Sequence, residues 1–285
     1  MVMNIVSLSP NVSHWLDNTH HPRILHIFGA ACNLINERGE VLSIVTPEIG
    51  NGPFNLVLEK DVCFSEHLSL ESRVSIFPNQ LNVGNLIIHT VNANLWHPRP
   101  NWEMLHAEKY NIATQLAKLL MTDYRGLGFD TGVATTQTYS TNIDAQSLVS
   151  TLSLALVNAD IPSAQKLTSQ LAGLGAGLTP AGDDVIMGAL YAAWIIHPTE
   201  VVSALARTIA NTAAPLTTSL SAAWLRSAGR GEAGILWHEF FDLLVSGDNA
   251  AIQRQVTKLL SIGDTSGADA LAGFMSTFAF VNVTP

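Results

Sequence analysis

The segment GLGAGLTPAGDD, residues 173–184, combines residue types that could bind an anion. Its four glycines allow the backbone to fold closely around a ligand, and the apolar run VIMGALYAAWII that follows predicts a helix beginning here. A helix start offers unpaired backbone N–H groups and about half a positive charge, which together attract phosphate or carboxylate groups. We therefore expect Gly175, Gly177, Thr179 and Gly182 to contact a small anionic substrate.

Two aspartates stand where a phosphate-binding loop would carry other residues. Gly177 and Gly182 have the spacing of G-x-x-x-x-G-K-[ST], but Asp183 and Asp184 replace the lysine and the hydroxyl residue. Because bare carboxylates repel an anion, two interpretations are open. Either the pair holds Mg²⁺, which then bridges to the anion, or each aspartate stabilises the helix start and no anion binds there.

A second segment has the same frame. AGDDVIMGAL, residues 181–190, and SGADALAGFM, residues 266–275, share the pattern small-G-x-D-x-[IL]-x-G, and each follows a loop that contains glycine and threonine. The shared pattern suggests that two similar helix starts face one site, at which the aspartates of both segments converge as the catalytic groups. The second segment adds to the candidate site Asp269, in the position of Asp184, together with the substrate-binding candidates Ser266 and Gly267.

Clustered carboxylates would raise each other's pKa unless a cation or hydrogen-bond donors compensate. The segment PLTTSLSAAWLRSAGRGE, residues 215–232, supplies hydroxyls at a predicted helix start and an arginine in a glycine loop. The alternative is an ordinary capping box with arginines that face solvent. The substrate-binding candidates in this segment are Thr217, Thr218, Ser219 and Arg230, and Arg230 is also the candidate that neutralises the aspartates.

Composition excludes several classes of function. Only 13% of the residues are charged and the net charge is −9, whereas nucleic acids and anionic membranes require a basic surface. The longest apolar run, residues 185–196, is shorter than the roughly 20 residues of a membrane-spanning helix. The N-terminus lacks the basic start and the long apolar run of a signal peptide. We expect a cytoplasmic protein that binds neither nucleic acid nor membrane.

The pattern of elements changes near residue 98. Before it, VLSIVTP, FNLVLE, RVSIF and NLIIHT are typical of strands, and the turn NERGE joins ILHIFGAACNLI to VLSIVTP. After it, a helix is predicted over residues 102–121 with Asn101 as its N-cap. A loop rich in glycine, threonine and asparagine, residues 125–143, precedes further helices.

These patterns predict an α+β fold. We expect a β-rich N-terminal domain, residues 1–98, packed on an all-helical C-terminal domain, residues 99–285, which carries the glycine segment. That segment follows the helix-like stretch SAQKLTSQLA, whereas the glycine loop of a Rossmann fold follows a strand. A dinucleotide-binding fold is therefore not expected.

The quoted residues resemble a bacterial family long described as of unknown function. GLGAGLTPAGDDVIMG matches its signature G-x-G-x-G-L-T-P-x-G-D-D-x-x-x-G, and weaker matches occur at GPFNL, TTSLSAAWLRSAGRGE and IGDTSGADALAG. The family includes the AllH-type subunit of the anaerobic oxamate carbamoyltransferase of allantoin degradation. The resemblance covers most of the chain.

The resemblance implies a transferase subunit that interconverts oxalurate plus phosphate with oxamate plus carbamoyl phosphate, and that needs partner subunits for activity. One position departs from the family, whose members tend to carry histidine where this chain has Asp264. An acid–base role of that histidine would be lost or altered here. Two other functions stay open: a non-catalytic subunit that assembles a complex through its apolar surface, and a stand-alone Mg²⁺-dependent hydrolase or transferase that acts on phosphate compounds.

Overall fold

The computed structural model of the chain describes residues 1–121 and 145–281. The chain divides into two compact units, Met1–Pro98 and Arg99–Pro285. The first unit is mainly a β-sheet and the second is helical, which confirms the predicted α+β class. The loop predicted over residues 125–143 lies outside the described residues.

The first unit is built on one nine-stranded, nearly closed, barrel-like sheet. Its strands are β1 (Val2–Leu8), β2 (Arg23–Ile27), β3 (Ala31–Ile35), β4 (Val41–Val45), β5 (Asn55–Leu58), β6 (Val74–Phe77), β7 (Gln80–Val83), β8 (Leu86–His89) and β9 (Asn94–Leu95). Their order is β2-β3-β4-β5-β1-β8-β7-β6, and β9 pairs with β1. β1 runs parallel to β8 and β9, and β4 runs parallel to β5, whereas the other neighbours are antiparallel.

The segment ILHIFGAACNLI forms two strands, β2 and β3. The chain reverses between them, and the Phe28 N–H donates to the Ala31 carbonyl at 2.8 Å. The turn predicted at NERGE is confirmed, because β3 and β4 are antiparallel neighbours and the Asn36 N–H donates to the Glu40 carbonyl at 3.1 Å.

The first unit also contains two helices that the strand pattern did not predict. The helix α1 (Pro10–Asn18) begins at the N-cap Ser9, whose side chain accepts a hydrogen bond from the Val12 N–H. Serine followed by proline is a favoured helix start, so the signal was present in the sequence. The helix α2 (Phe64–His67) is a single turn.

The second unit is helical throughout its described residues. Asn101 caps the first helix, as predicted, by accepting the Met104 N–H. The single helix predicted over residues 102–121 is wrong, since it breaks at Glu108. The Trp102 indole donates to the Gly231 carbonyl at 2.8 Å, which anchors the first helix in the core separately from the second. The helices are α3 (Trp102–Ala107), α4 (Lys109–Met121), α5 (Ala145–Val157), α6 (Ile161–Leu171), α7 (Ala181–Ile196), α8 (Thr199–Ala213), α9 (Ser219–Gly229), α10 (Ile235–Ser246), α11 (Asn249–Leu260) and α12 (Ser266–Phe278).

The helix α7 lies at the centre of the second unit. All of its residues from 181 to 195 are buried, as expected for a helix that is apolar on every side. Aromatic rings from α3, α7, α10 and α12 contact one another beside it. None of the helices described in these two ranges is both long enough and apolar enough to cross a lipid bilayer.

The helices α7 and α12 cross with their backbones in direct contact. A Cβ atom built on Gly188 would overlap the carbonyl oxygen of Ala270, and one built on Gly273 would overlap the carbonyl oxygen of Val185. Only a residue without a side chain allows such an approach. The contacts are reciprocal, because each glycine of one helix meets the equivalent carbonyl of the other.

Candidate functional site

The two similar sequence segments belong to two equivalent helix–loop–helix units. In the first unit α6 leads to α7, and in the second α11 leads to α12. The first helix of each unit has an aspartate N-cap, Asp160 or Asp248, whose side chain accepts the N–H of the third residue after it. The two units therefore begin with the same local structure.

The second helix of each unit begins with the same contact. The Gly182 N–H donates to the Leu174 carbonyl at 2.8 Å, and the Gly267 N–H donates to the Ile262 carbonyl at 3.0 Å. The loop between the helices is four residues longer in the first unit, residues 172–180 against 261–265, and it contains the additional glycines. Together with the reciprocal crossing of α7 and α12, these contacts relate the two units by an approximate twofold arrangement.

This arrangement places Asp184 and Asp269, which are equivalent in the two units, in one buried cluster. Asp184 is 4% exposed and Asp269 is 0% exposed. Burial raises the pKa of Asp184 to about 8, and the negative charges of Asp269 and Asp183 act in the same direction. The carboxyl of Asp184 is therefore mainly neutral at pH 7.

Two hydroxyls lie beside the Asp184 carboxyl. Ser266 and Thr179 favour its charged form and so oppose part of the rise in pKa. The two hydroxyl oxygens are hydrogen-bonded to each other at 2.7 Å, which connects the glycine loop to the first residue of α12. The Asp184 Oδ2 atom is buried and has no hydrogen-bond partner among the residues that the structure describes. A buried polar atom without a partner is uncommon and indicates a functional constraint or a ligand.

The adjacent Asp183 has a different environment, because it joins three segments of the fold. Its Oδ1 accepts the Gly173 N–H at 2.8 Å, and its Oδ2 accepts the hydroxyls of Ser221, at 2.7 Å, and of Thr217. Burial raises its pKa, and these three donors oppose that rise. Both oxygens are used within the protein, so Asp183 fixes the end of α6 and the starts of α7 and α9.

We expect Asp183→Ala to lower the free energy of unfolding by about 3 kcal/mol, because the substitution leaves three donors without their charged acceptor. Urea unfolding followed by circular dichroism measures this change. Thr217→Val is the matched variant, since it removes one donor and leaves the other two, and it should cost about 1 kcal/mol. An alanine variant as stable as the wild type would contradict the assigned role.

Three helix N-termini surround the glycine loop of residues 173–180. The helix α7 follows the loop directly, and α12 is connected to it by the bond between Ser266 and Thr179. The helix α9 is connected by the Thr218 hydroxyl, which donates to the Leu178 carbonyl at 2.5 Å. Thr218 is also the N-cap of α9, where it accepts the Ser221 N–H at 3.1 Å. The positive ends of three helix dipoles therefore meet at one loop.

The loop presents backbone N–H groups that have no partner within the described parts of the chain. Among the described residues, no acceptor is hydrogen-bonded to the N–H groups of residues 175–179, and residues 176–178 are exposed. Gly175 has φ +118, and a Cβ atom on it would lie 2.8 Å from the Ala181 nitrogen, so glycine is required where the loop folds back on the helix start. Gly177 lies at the open centre of the loop, with nothing within 4 Å of its Cβ position.

Arg230 lies at the other end of α9 from the loop. It is the C-cap of that helix, whose 11 residues span about 16 Å. Its guanidinium pairs with Glu232 at 2.7 Å and donates to Ser227 at 3.1 Å. The donors that face Asp183 are hydroxyls and a backbone N–H. In the structure, therefore, Arg230 does not provide the positive charge that was predicted to neutralise this carboxylate.

Some of the other residues predicted for the site are exposed to a ligand, and others are used inside the fold. Ser219 is the first residue of α9, and it is partly exposed beside the loop. Gly182 and Gly267 use their N–H groups within the fold, as described above. Asp264, which stands where the resembled family tends to have histidine, is exposed in the turn before α12.

The residues present do not fit the Mg²⁺ site predicted at Asp183 and Asp184. Magnesium requires a near-octahedral set of oxygen ligands. Both oxygens of Asp183 accept internal hydrogen bonds. Across residues 1–121 and 145–281, no group of three or more His, Cys, Asp or Glu side chains is arranged to hold a metal ion.

Comparison with known proteins gives two family matches. The family described as oxamate carbamoyltransferase subunit AllH matches residues 171–278, a range that contains the glycine loop and the starts of α7, α9 and α12. The AllH family N-terminal domain matches residues 4–95, which form the sheet. No solved structure matches the chain significantly. The two matches cover most of the chain, which therefore belongs to the family of the oxamate carbamoyltransferase subunit AllH.

Proposed function

We propose that this chain is a subunit of an oxamate carbamoyltransferase-like complex and that it binds the anionic substrate at the glycine loop. The reaction associated with this family converts oxalurate and phosphate to oxamate and carbamoyl phosphate. Every one of these four compounds is an anion with phosphate or carboxylate oxygens. A site for them needs backbone N–H or hydroxyl donors and a positive potential.

The observation that supports the proposal best is the convergence of three helix N-termini on one loop, whose N–H groups at residues 175–179 have no partner in residues 1–121 and 145–281. Each dipole contributes roughly half a positive charge at its N-terminus. The nearest acidic groups weaken this field only in part, because Asp184 is mainly neutral at pH 7 and the charge of Asp183 is partly offset by three hydrogen-bond donors. The aspartates of the segment are therefore compatible with an anion without a bridging metal.

Apolar side chains beside the loop support the need for a partner subunit. Leu178 in the loop is 37% exposed, Leu216 before α9 is 51% exposed, and Ile262 before α12 is 36% exposed. Exposed apolar residues that flank a polar site are typical of a surface that another protein covers. We propose that a partner subunit of the complex covers this rim and supplies further groups for carbamoyl transfer.

Ala176→Asp should abolish the binding of the small anionic substrate. Ala176 is exposed in the loop, so the new carboxylate meets no side chain but repels an anion held by the N–H groups. In a thermal-shift assay with carbamoyl phosphate, phosphate, oxamate and oxalurate, a compound at a hundred times its Kd stabilises the wild type by about 2.7 kcal/mol. The variant should show no shift.

Ala250→Asp provides the matched control, because Ala250 is exposed in the first turn of α11 and receives the same charge away from the loop. This control should keep the shift of the wild type. Equal shifts for both variants would place the anion elsewhere. If none of the four compounds shifts the unfolding temperature of the wild type, the chain does not bind the substrate alone. The same panel with the assembled complex then distinguishes a binding subunit from an assembly subunit.

A further inference from the structure

The Thr218 hydroxyl makes two hydrogen bonds, and one of them uses its only proton. Its oxygen accepts the Ser221 N–H at 3.1 Å, which caps α9, and its proton is donated to the Leu178 carbonyl at 2.5 Å. A helix cap needs only the first of these bonds. The second connects the start of α9 to the glycine loop, and while it is present the Thr218 hydroxyl has no proton to donate to a ligand.

The bond to Leu178 fixes a part of the loop that is otherwise weakly held. Among the described residues, the backbone of residues 175–178 makes no other hydrogen bond, and residues 176–178 are exposed. The next residue, Thr179, is bonded through its side chain to Ser266 at 2.7 Å. The peptide unit that joins Leu178 to Thr179 therefore lies between two hydrogen bonds, one from α9 and one from α12.

The direction of that peptide unit decides whether it attracts or repels an anion. The unit is planar and trans, so its C=O and N–H groups point in opposite directions. Since the Leu178 carbonyl points to Thr218, the Thr179 N–H points away from the start of α9, and it has no acceptor among the described residues. Rotation of the plane by half a turn would place the carbonyl oxygen, the negative end of the peptide dipole, where the N–H now lies.

We propose that Thr218 is a positioning residue, whose hydroxyl holds the peptide unit of Leu178 and Thr179 with its N–H directed at the anion bound in the glycine loop. This inference rests on the proposed function of the loop as an anion site. It gives the hydroxyl an effect on affinity that acts through the loop backbone, without contact between the hydroxyl and the ligand.

Sulfate is a suitable probe, because it has the tetrahedral oxygen atoms and the negative charge of phosphate. Isothermal titration calorimetry at pH 7 should show that Thr218→Val binds sulfate about tenfold more weakly than the wild type, the effect of one hydrogen bond to a charged group. Thr218→Ser keeps the hydroxyl and should restore the affinity of the wild type. Thr218→Gly should bind as weakly as the valine variant, although glycine caps a helix nearly as well as threonine.

The amide resonance of Thr179 reports the orientation of the peptide unit directly. A hydrogen bond to an anion deshields the amide proton, so in a ¹H–¹⁵N spectrum this resonance should move downfield when sulfate is added to the wild type or to Thr218→Ser. In Thr218→Val it should stay in place when the same sulfate concentration is added. A valine variant whose Thr179 resonance moves as in the wild type would overturn the inference.

Asp248→Ala is the matched control, because it removes the N-cap of α11, at the opposite end of that helix from α12. This variant should lose stability and keep the sulfate affinity of the wild type. An equal loss of affinity in Asp248→Ala would attribute the effect to stability and overturn the inference. Wild-type affinity in Thr218→Gly would attribute the effect to the cap of α9 and overturn it too. Failure of the wild type to bind sulfate would reject the anion site itself, and the inference with it.

Discussion

Replacing Gly188 with alanine should lower the free energy of unfolding by about 2–4 kcal/mol, because the new methyl group overlaps the Ala270 carbonyl where α7 crosses α12. Alanine gains helix propensity of at most about 1 kcal/mol over glycine, which is too small to offset the overlap. The crossing is reciprocal, so Gly273→Ala, which meets the Val185 carbonyl, should cost a similar amount.

Urea unfolding of both variants measures these costs, and Gly177→Ala serves as the control. Gly177 has open space around it, and its positive φ of +93 should cost roughly 1 kcal/mol. The order of stabilities is the result to check. If Gly188→Ala is as stable as Gly177→Ala, the two helix backbones are not in the contact described here.

Asp184→Asn should increase stability at pH 9 and remove most of the pH dependence of unfolding. The pKa of Asp184 rises from its ordinary value of 3.8 to about 8 in the folded protein. Between these values the folded state holds a proton that the unfolded chain has released, so the stability of the wild type falls as the pH rises through this window. Above pH 8 both states are ionised and the loss is complete. Each pKa unit corresponds to about 1.4 kcal/mol, so the effect is on the order of several kcal/mol.

Unfolding free energies at pH 5, 7 and 9 test this prediction. Asp160→Asn is the control with the opposite sign, because the Ser163 N–H and side chain lower the pKa of Asp160, which therefore stabilises the fold above pH 4. Asparagine caps a helix about as well as aspartate, so this control should remain close to the wild type at pH 7. An Asp184→Asn protein that is less stable than the wild type at pH 9 would show that the carboxylate is stabilising.

The glycine loop and the helix that follows it could be predicted from the sequence, because glycine spacing and an apolar run are local signals. The Asn101 cap and the NERGE turn were predicted on the same basis. The helix α1 was missed although Ser9 and Pro10 form a typical helix start, since strands dominate the surrounding pattern. The break at Glu108 had no local signal, because the contact that anchors the preceding helix joins Trp102 to Gly231, 129 residues further along the chain.

The sequence alone could not predict that Asp183 and Asp184 have different roles. Neighbouring residues on a helix point about 100° apart, so one faces the start of α9 and the other faces α12. Which of the two accepts hydroxyl donors depends on tertiary contacts between distant segments. Ser221 was missed as a partner of Asp183 for the same reason, although its spacing from Thr218 indicated the cap that places it there.

The crossing of α7 and α12 also couples the opening of the fold to pH. The last helix covers the Asp184 carboxyl, and its first residue provides one of the two hydroxyls beside it. If α12 separates from α7 in a local unfolding event, the Asp184 carboxyl becomes exposed to water and releases its proton. Partial opening of this unit therefore becomes easier as the pH rises toward 8. Amide hydrogen exchange within α12 reports that opening separately from the unfolding of the whole chain.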